Sequence, residues 1–120
     1  MNNNQALIQA LNNCAAECNN CSAACLDEDN VKMLAVCTKV DMDCATICSA
    51  TATLLSRNSK HGKHLMQECV EVCTACAEEC EKHADMHQHC KVCAAACREI
   101  GRATRLNSSH LRLSRMPSSA

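Results

Sequence analysis

The chain has 120 residues, a formal net charge of −1, fourteen Cys, and no Phe, Tyr or Trp. That length fits one small domain. The near-zero charge argues against the electrostatic footprint of a nucleic-acid or membrane-surface binder. There are two Gly and a single Pro, Pro117, so few helix breakers interrupt the sequence and an all-α chain is expected.

The N-terminus, MNNNQALIQALNNC, has no basic n-region, no long apolar h-region and no twin-Arg. It does not read as a secretory signal. No apolar run approaches the ~20 residues of a membrane span. The expected compartment is therefore the cytoplasm, where thiols stay reduced.

The cysteines fall in four groups: Cys14, Cys18, Cys21, Cys25; Cys37, Cys44, Cys48; Cys69, Cys73, Cys76, Cys80; and Cys90, Cys93, Cys97. Within a group the steps are 3, 4 or 7, which sets each group along one stripe of a helix. Between groups the steps are 12, 21 and 10, enough for a turn and two helix ends. Four groups imply four helices.

The first helix is expected from about Asn4 to Leu26, with Leu7, Leu11 and its four Cys inside. Asp27 to Asn30 offer a turn and an N-cap. The second runs from about Asn30 to Ser56, with inner stripe Met33, Cys37, Asp41, Cys44, Cys48, Thr51 and Leu55. A polar turn, RNSKHG, precedes the third helix, which reaches about His83 with Leu65 or Met66 and four Cys inside. A break near Ala84 to Met86 leads into the fourth, with Cys90, Cys93, Cys97 and Ile100 inside and Gly101 marking its C-terminal region. CAAECNNCSAAC (14 to 25) and CVEVCTACAEEC (69 to 80) share 4-3-4 spacing, so two related helical hairpins are expected.

The expected fold is thus an antiparallel up-down-up-down four-helix bundle with a Cys-lined core, spanning residues 1–102. Residues 103–120 lack Cys, are rich in Ser and Arg, and leave the stripe. They read as a disordered or non-native tail, with a functional basic tail as the alternative.

Stacking the stripes in antiparallel order gives layers. Leu7, Leu11, Leu54, Leu55, Leu65, Met66 and Ile100 form an apolar plug at one end. Beyond it come Cys14, Cys48, Cys69 and Cys97; then Cys18, Cys44, Cys73 and Cys93; then Cys21, Cys76 and Cys90 with Asp41; then Cys25, Cys37 and Cys80. The far end carries Met33, His83, Met86, His87 and His89 as a metal entrance. Asp41 either accepts a hydrogen bond from a neighbouring thiol or hydroxyl, or tilts out so that Val40 faces in. A core of Cys and Ala is too small to fill a bundle interior unaided, so something else is expected in that volume.

Disulfides are disfavoured, because helical i, i+3 and i, i+4 spacing aims Cβ vectors poorly for a bridge. An inert thiol core packs less well than Leu or Val would. Iron–sulfur clusters usually sit on wrapping loops. Several zinc sites of four thiolates would leave −2 each in a dry core. Copper(I) fits best: it is soft, favours thiolate, and one Cu⁺ per thiolate neutralises the core. Charge matching then implies many ions, on the order of one copper per Cys, about 14 per chain. That number means storage or buffering rather than catalysis. A zinc- or other soft-metal-binding, metallothionein-like detoxification or sensor protein is the alternative. No catalytic constellation stands out, and Glu17, Glu28, Glu71, Glu78, Glu79 and Glu81 read as solvated helix faces.

The repeated Cys-x-x-x-Cys and Cys-x-x-Cys pattern, especially CAEECEKHADMHQHCKVCAAACREI (76 to 100), resembles the bacterial copper storage proteins. The resemblance covers about residues 5 to 102. It implies a four-helix bundle that binds many Cu(I) ions on inward Cys, here the fourteen named above, with a His- and Met-bearing mouth. It also implies a homo-oligomer, a tetramer, and the cytosolic branch of the family. Copper ions are the expected ligand, with a copper chaperone or small thiol as donor, and no nucleic-acid or membrane partner. Asp41 in a slot that a thiol could fill and the Arg-rich tail depart from the family pattern.

Overall fold

The computed structural model describes residues 4–111, with side chains through Asn107. Its helices are α1 (Gln5–Leu26), α2 (Ala35–Ser56), α3 (Gly62–Glu81) and α4 (Gln88–Leu111), with a 3-10 turn (Val31–Leu34) leading into α2. Each helix packs on two neighbours, α1 on α2 and α4, and α3 on α2 and α4. This is the antiparallel up-down-up-down bundle that the Cys spacing predicts, with short loops between sequential helices. None of the described helices is long and apolar enough to cross a membrane.

The plug is built as expected from Leu7, Leu11, Leu55, Met66 and Ile100, all buried. Of the pair Leu65 and Met66, Met66 is the inward residue. The turn between α2 and α3 is sharp: Asn58 takes the left-handed conformation with φ 55°, which Asn tolerates better than most residues. Gly62 then starts α3 against the plug. A Cβ there would stand 2.8 Å from Leu55 Cδ2, so the close approach of α3 to α2 depends on the missing side chain.

Two sequence expectations are corrected. The 3-10 turn tightens the chain before α2, so Leu34 is buried while Met33 is 70% exposed. A 3-10 turn advances three residues per turn rather than 3.6, and this moves the inward position by one residue. Second, Gly101 does not end the fourth helix. Helix α4 runs on to Leu111 and buries Ala103, Thr104 and Asn107, so residues 103–111 are helical rather than disordered. Helix propensity there is adequate, and Thr104 and Asn107 each donate to the carbonyl four residues back, Thr104 to Ile100 at 2.6 Å and Asn107 to Ala103 at 3.4 Å. The remainder of the expected tail, 112–120, lies outside the described residues.

Candidate metal centre

All fourteen cysteines are buried and free. Each helix contributes its stripe because the 3-4 spacing returns every Cys to one face of the helix. Neighbouring sulfurs lie 3.5–3.9 Å apart, as in Cys44–Cys73 at 3.5 Å, Cys48–Cys69 at 3.7 Å and Cys21–Cys90 at 3.9 Å. These are contact distances, far beyond the ~2.05 Å of an S–S bond.

The layers are staggered rather than flat. Cys97 touches Cys14 at 3.7 Å, as its layer predicts, but also Cys18 at 3.8 Å and Cys44 at 3.8 Å, both from the next layer. As a result, groups of four donors overlap. Cys14, Cys18, Cys44 and Cys97 form one such group; Cys18, Cys76, Cys93 and Cys97 form another; Cys21, Cys25, Cys37 and Cys90 form a third. Donor atoms in each group lie within 4.8 Å of one another. A soft ion bound in one group therefore shares its thiols with the next, which suits many ions in one continuous sulfur column.

Asp41 points inward and is fully buried, while Val40 is half-buried beside it. Its Oδ1 accepts from the Cys76, Cys80 and Cys93 thiols at 3.1, 3.3 and 3.4 Å. Burial, reinforced by the surrounding thiols Cys21, Cys93 and Cys76, pushes its pKa up to about 12. Asp41 is therefore a neutral acid at physiological pH. Burial, followed by neighbouring thiol charge, also holds Cys25 and Cys90 above the ordinary thiol value.

The five residues expected at the entrance separate. His89 alone meets the sulfur column, with Nδ1 3.4 Å from Cys21 Sγ and 3.6 Å from Cys90 Sγ. Its Nε2 donates to Glu28 Oε2 at 2.9 Å. His87 donates from Nδ1 to the same oxygen at 3.1 Å, and its Nε2 accepts from the Asn30 amide at 3.5 Å. The two rings lie 5.3 Å apart. His83 turns back to Glu79, 3.2 Å away on the last turn of α3. Met33 and Met86 are strongly exposed, their side chains turned away from the thiols. Burial lowers the His89 pKa, but the contacts with Cys21 and Glu28 outweigh it and the net shift is upward. The His89 hydrogen bond, aided by the charges on both rings, lowers the pKa of Glu28. Reading Glu28 and Glu79 as solvated faces missed these contacts. Glu28 sits in a turn, where no periodicity says what it faces.

Comparison with known proteins places this geometry. The sequence profile of the copper storage protein family matches residues 1–108. A cytosolic copper storage protein from Streptomyces lividans, solved during copper loading with five coppers, is 42% identical, with 90% of this chain and 89% of that one aligned at a TM-score of 0.81. The same protein loaded with 10 copper equivalents aligns over 90% of this chain and 81% of that one, also at 42% identity and a TM-score of 0.81. The Cu(I)-bound copper storage protein BsCsp3 is 34% identical over 85% of this chain and 94% of its own, with a TM-score of 0.79. An uncharacterized cysteine-rich protein of Bacillus subtilis (strain 168), YhjQ, is 36% identical over 92 residues, 77% of this chain and 83% of its own.

Proposed function

Because the chain belongs to the copper storage protein family, we propose that it stores and buffers Cu(I) on the thiolates of its fourteen cysteines. One observation carries the reading: every thiol is buried and free, and thiols of neighbouring helices meet at 3.5–3.7 Å along the core, as in Cys14–Cys97, Cys44–Cys73 and Cys48–Cys69. A zinc finger closes four ligands around one ion. Here the donor groups share members along the whole core. Cu⁺ paired with thiolate leaves each unit neutral, so the column can fill without accumulating charge.

In this reading the fourteen Cys are the ligands, the end bearing His83, His87 and His89 is the entrance, and the protein is a store rather than an enzyme. It works in the cytoplasm, as its Streptomyces lividans relative is described to do, and assembles as a homo-oligomer, a tetramer by family analogy. A copper chaperone or a small thiol delivers the metal. Anaerobic Cu(I) titration against a competing chelator, with a metal count on the isolated complex, tests the proposal. Loading of many equivalents, on the order of one per thiol, supports it. Saturation at about one or two coppers per chain rejects storage and favours a sensor or carrier.

A further inference from the structure

At the entrance a single carboxylate oxygen serves two imidazoles. Glu28, just beyond the end of α1, places Oε2 2.9 Å from His89 Nε2 and 3.1 Å from His87 Nδ1. A carboxylate in this position only accepts, so both of those ring nitrogens carry hydrogen. In a neutral ring this fixes the tautomer. His89 holds its proton on Nε2 and aims the lone pair of Nδ1 at Cys21 Sγ, 3.4 Å away, and Cys90 Sγ, 3.6 Å away. His87 is set the other way round, with its free Nε2 spent on the Asn30 amide at 3.5 Å. His87 is therefore not a second open donor but a wedge, 5.3 Å from the His89 ring and fixed by the same oxygen.

We infer that Glu28 is a positioning residue of the copper entrance: it locks His89 in the Nε2–H tautomer and orientation that present Nδ1, together with the Cys21 and Cys90 sulfurs, as a preset nitrogen–sulfur–sulfur landing site for Cu(I). The inference rests on the storage reading above and adds to it the first place an ion meets the column. The three donors come from two helices, Cys21 on α1 and His89 and Cys90 on α4. The Glu28 clamp ties the far side of the ring to the end of α1, opposite the edge that meets Cys21, so it sets the aperture between the two helices. Partners behind a ligating His fix its tautomer and orientation, and losing one typically costs about 10- to 100-fold in metal affinity or activity.

Two measurements test it. Nitrogen-15 NMR of the reduced, metal-free protein, at a pH where the ring is neutral, reads the His89 tautomer directly. The wild type is expected wholly as Nε2–H, Glu28→Ala as a mixture, and Glu28→Gln, which keeps an acceptor oxygen, close to wild type. A His89 ring unaffected by Glu28→Ala overturns the inference whatever the chain does with copper. Stopped-flow Cu(I) loading then reads function. Glu28→Ala is expected to slow the first phase about tenfold, with Glu28→Gln restoring most of the rate. Against a His89→Ala background, Glu28→Ala is expected to slow loading no further. An equal loss in both backgrounds shows that Glu28 acts through surface charge alone and overturns its positioning role. Failure of the wild type to take up more than about two coppers sinks the storage reading instead, a result the titration distinguishes from a fault in the clamp.

Discussion

The Cys44 thiol on α2 lies 3.8 Å from the Cys97 thiol on α4, across the diagonal of the bundle. Diagonal helices do not pack on each other directly, so this contact runs through the middle of the core. It joins the sulfur ladders of opposite helices into one network. Cys97 accordingly belongs to at least two groups of four thiols, one with Cys14, Cys18 and Cys44 and one with Cys18, Cys76 and Cys93.

Removing this junction affects more than one ion. Cys97→Ala is expected to lower copper capacity by about two equivalents, since bridging thiolates are shared. Cys25→Ala, at the mouth, where the sulfur reaches Cys21 at 3.9 Å, is expected to cost about one. Metal counts on the two purified, loaded variants check this. Equal losses show that each thiol binds its ion independently.

Asp41 fills a thiol slot and faces three thiols through one oxygen. Asp41→Cys is expected to raise capacity by about one copper, because a soft ligand replaces a hard one in a position already ringed by sulfur. Metal count by mass spectrometry of the loaded variant reads it, and no gain refutes the slot as a copper position.

The same side chain makes the metal-free fold sensitive to pH. Its pKa stands at about 12 in the bundle against about 3.9 in an unfolded chain. Below the lower value both states are protonated, and Asp41 contributes its full stability. As pH rises from there toward about 12, the unfolded chain releases a proton that the folded one keeps. The free energy of unfolding therefore falls, by at most about 1.4 kcal/mol per pH unit. Wild type is expected to gain stability relative to Asp41→Asn on going from pH 7 to pH 4. Denaturant midpoints of the reduced, metal-free pair check this, and parallel curves mean that Asp41 ionises normally.

The bundle is expected to fold empty. The plug of Leu7, Leu11, Leu55, Met66 and Ile100 is a buried apolar layer that contains no thiol, and protonated thiols carry no charge. Circular dichroism of the reduced, metal-free protein is expected to show the four helices. Copper then adds stability by mass action, about 2.7 kcal/mol for one site at a hundredfold excess over Kd. A random-coil spectrum that turns helical only with copper indicates metal-driven wrapping instead.

Helix α4 continues beyond the sulfur column and buries Ala103, Thr104 and Asn107. A chain ending at Arg102 is expected to lose roughly 1 kcal/mol relative to one ending at Leu111, a Tm drop of about 4–8 °C in a domain of this size. Copper capacity is expected to stay at the full-length value, since no thiol is removed. Unchanged Tm shows that the last turns contribute nothing to the packing.

Periodicity alone determined that there are four helices, that every thiol faces one core, and that a leucine-rich plug closes one end. The 3-4 step of Cys14, Cys18, Cys21 and Cys25 admits no other regular structure with all four on one side. It also paired the layers correctly, since Cys14–Cys97 and Cys48–Cys69 do meet. What it left open lies where the period breaks or the contact is long-range. A 3-10 turn before α2 shifted the inward residue from Met33 to Leu34. The residue facing the column at Asp41 was decided by how α2 rotates against its neighbours, and the end of α4 by packing that a lone Gly101 does not interrupt. The Glu28–His89 contact joins residues 61 apart. Glu28 belongs to a loop, where side-chain direction follows the path of the chain between packed helices rather than any repeat. Helix faces are local properties set by backbone geometry, whereas loop contacts come into being only once the helices have docked.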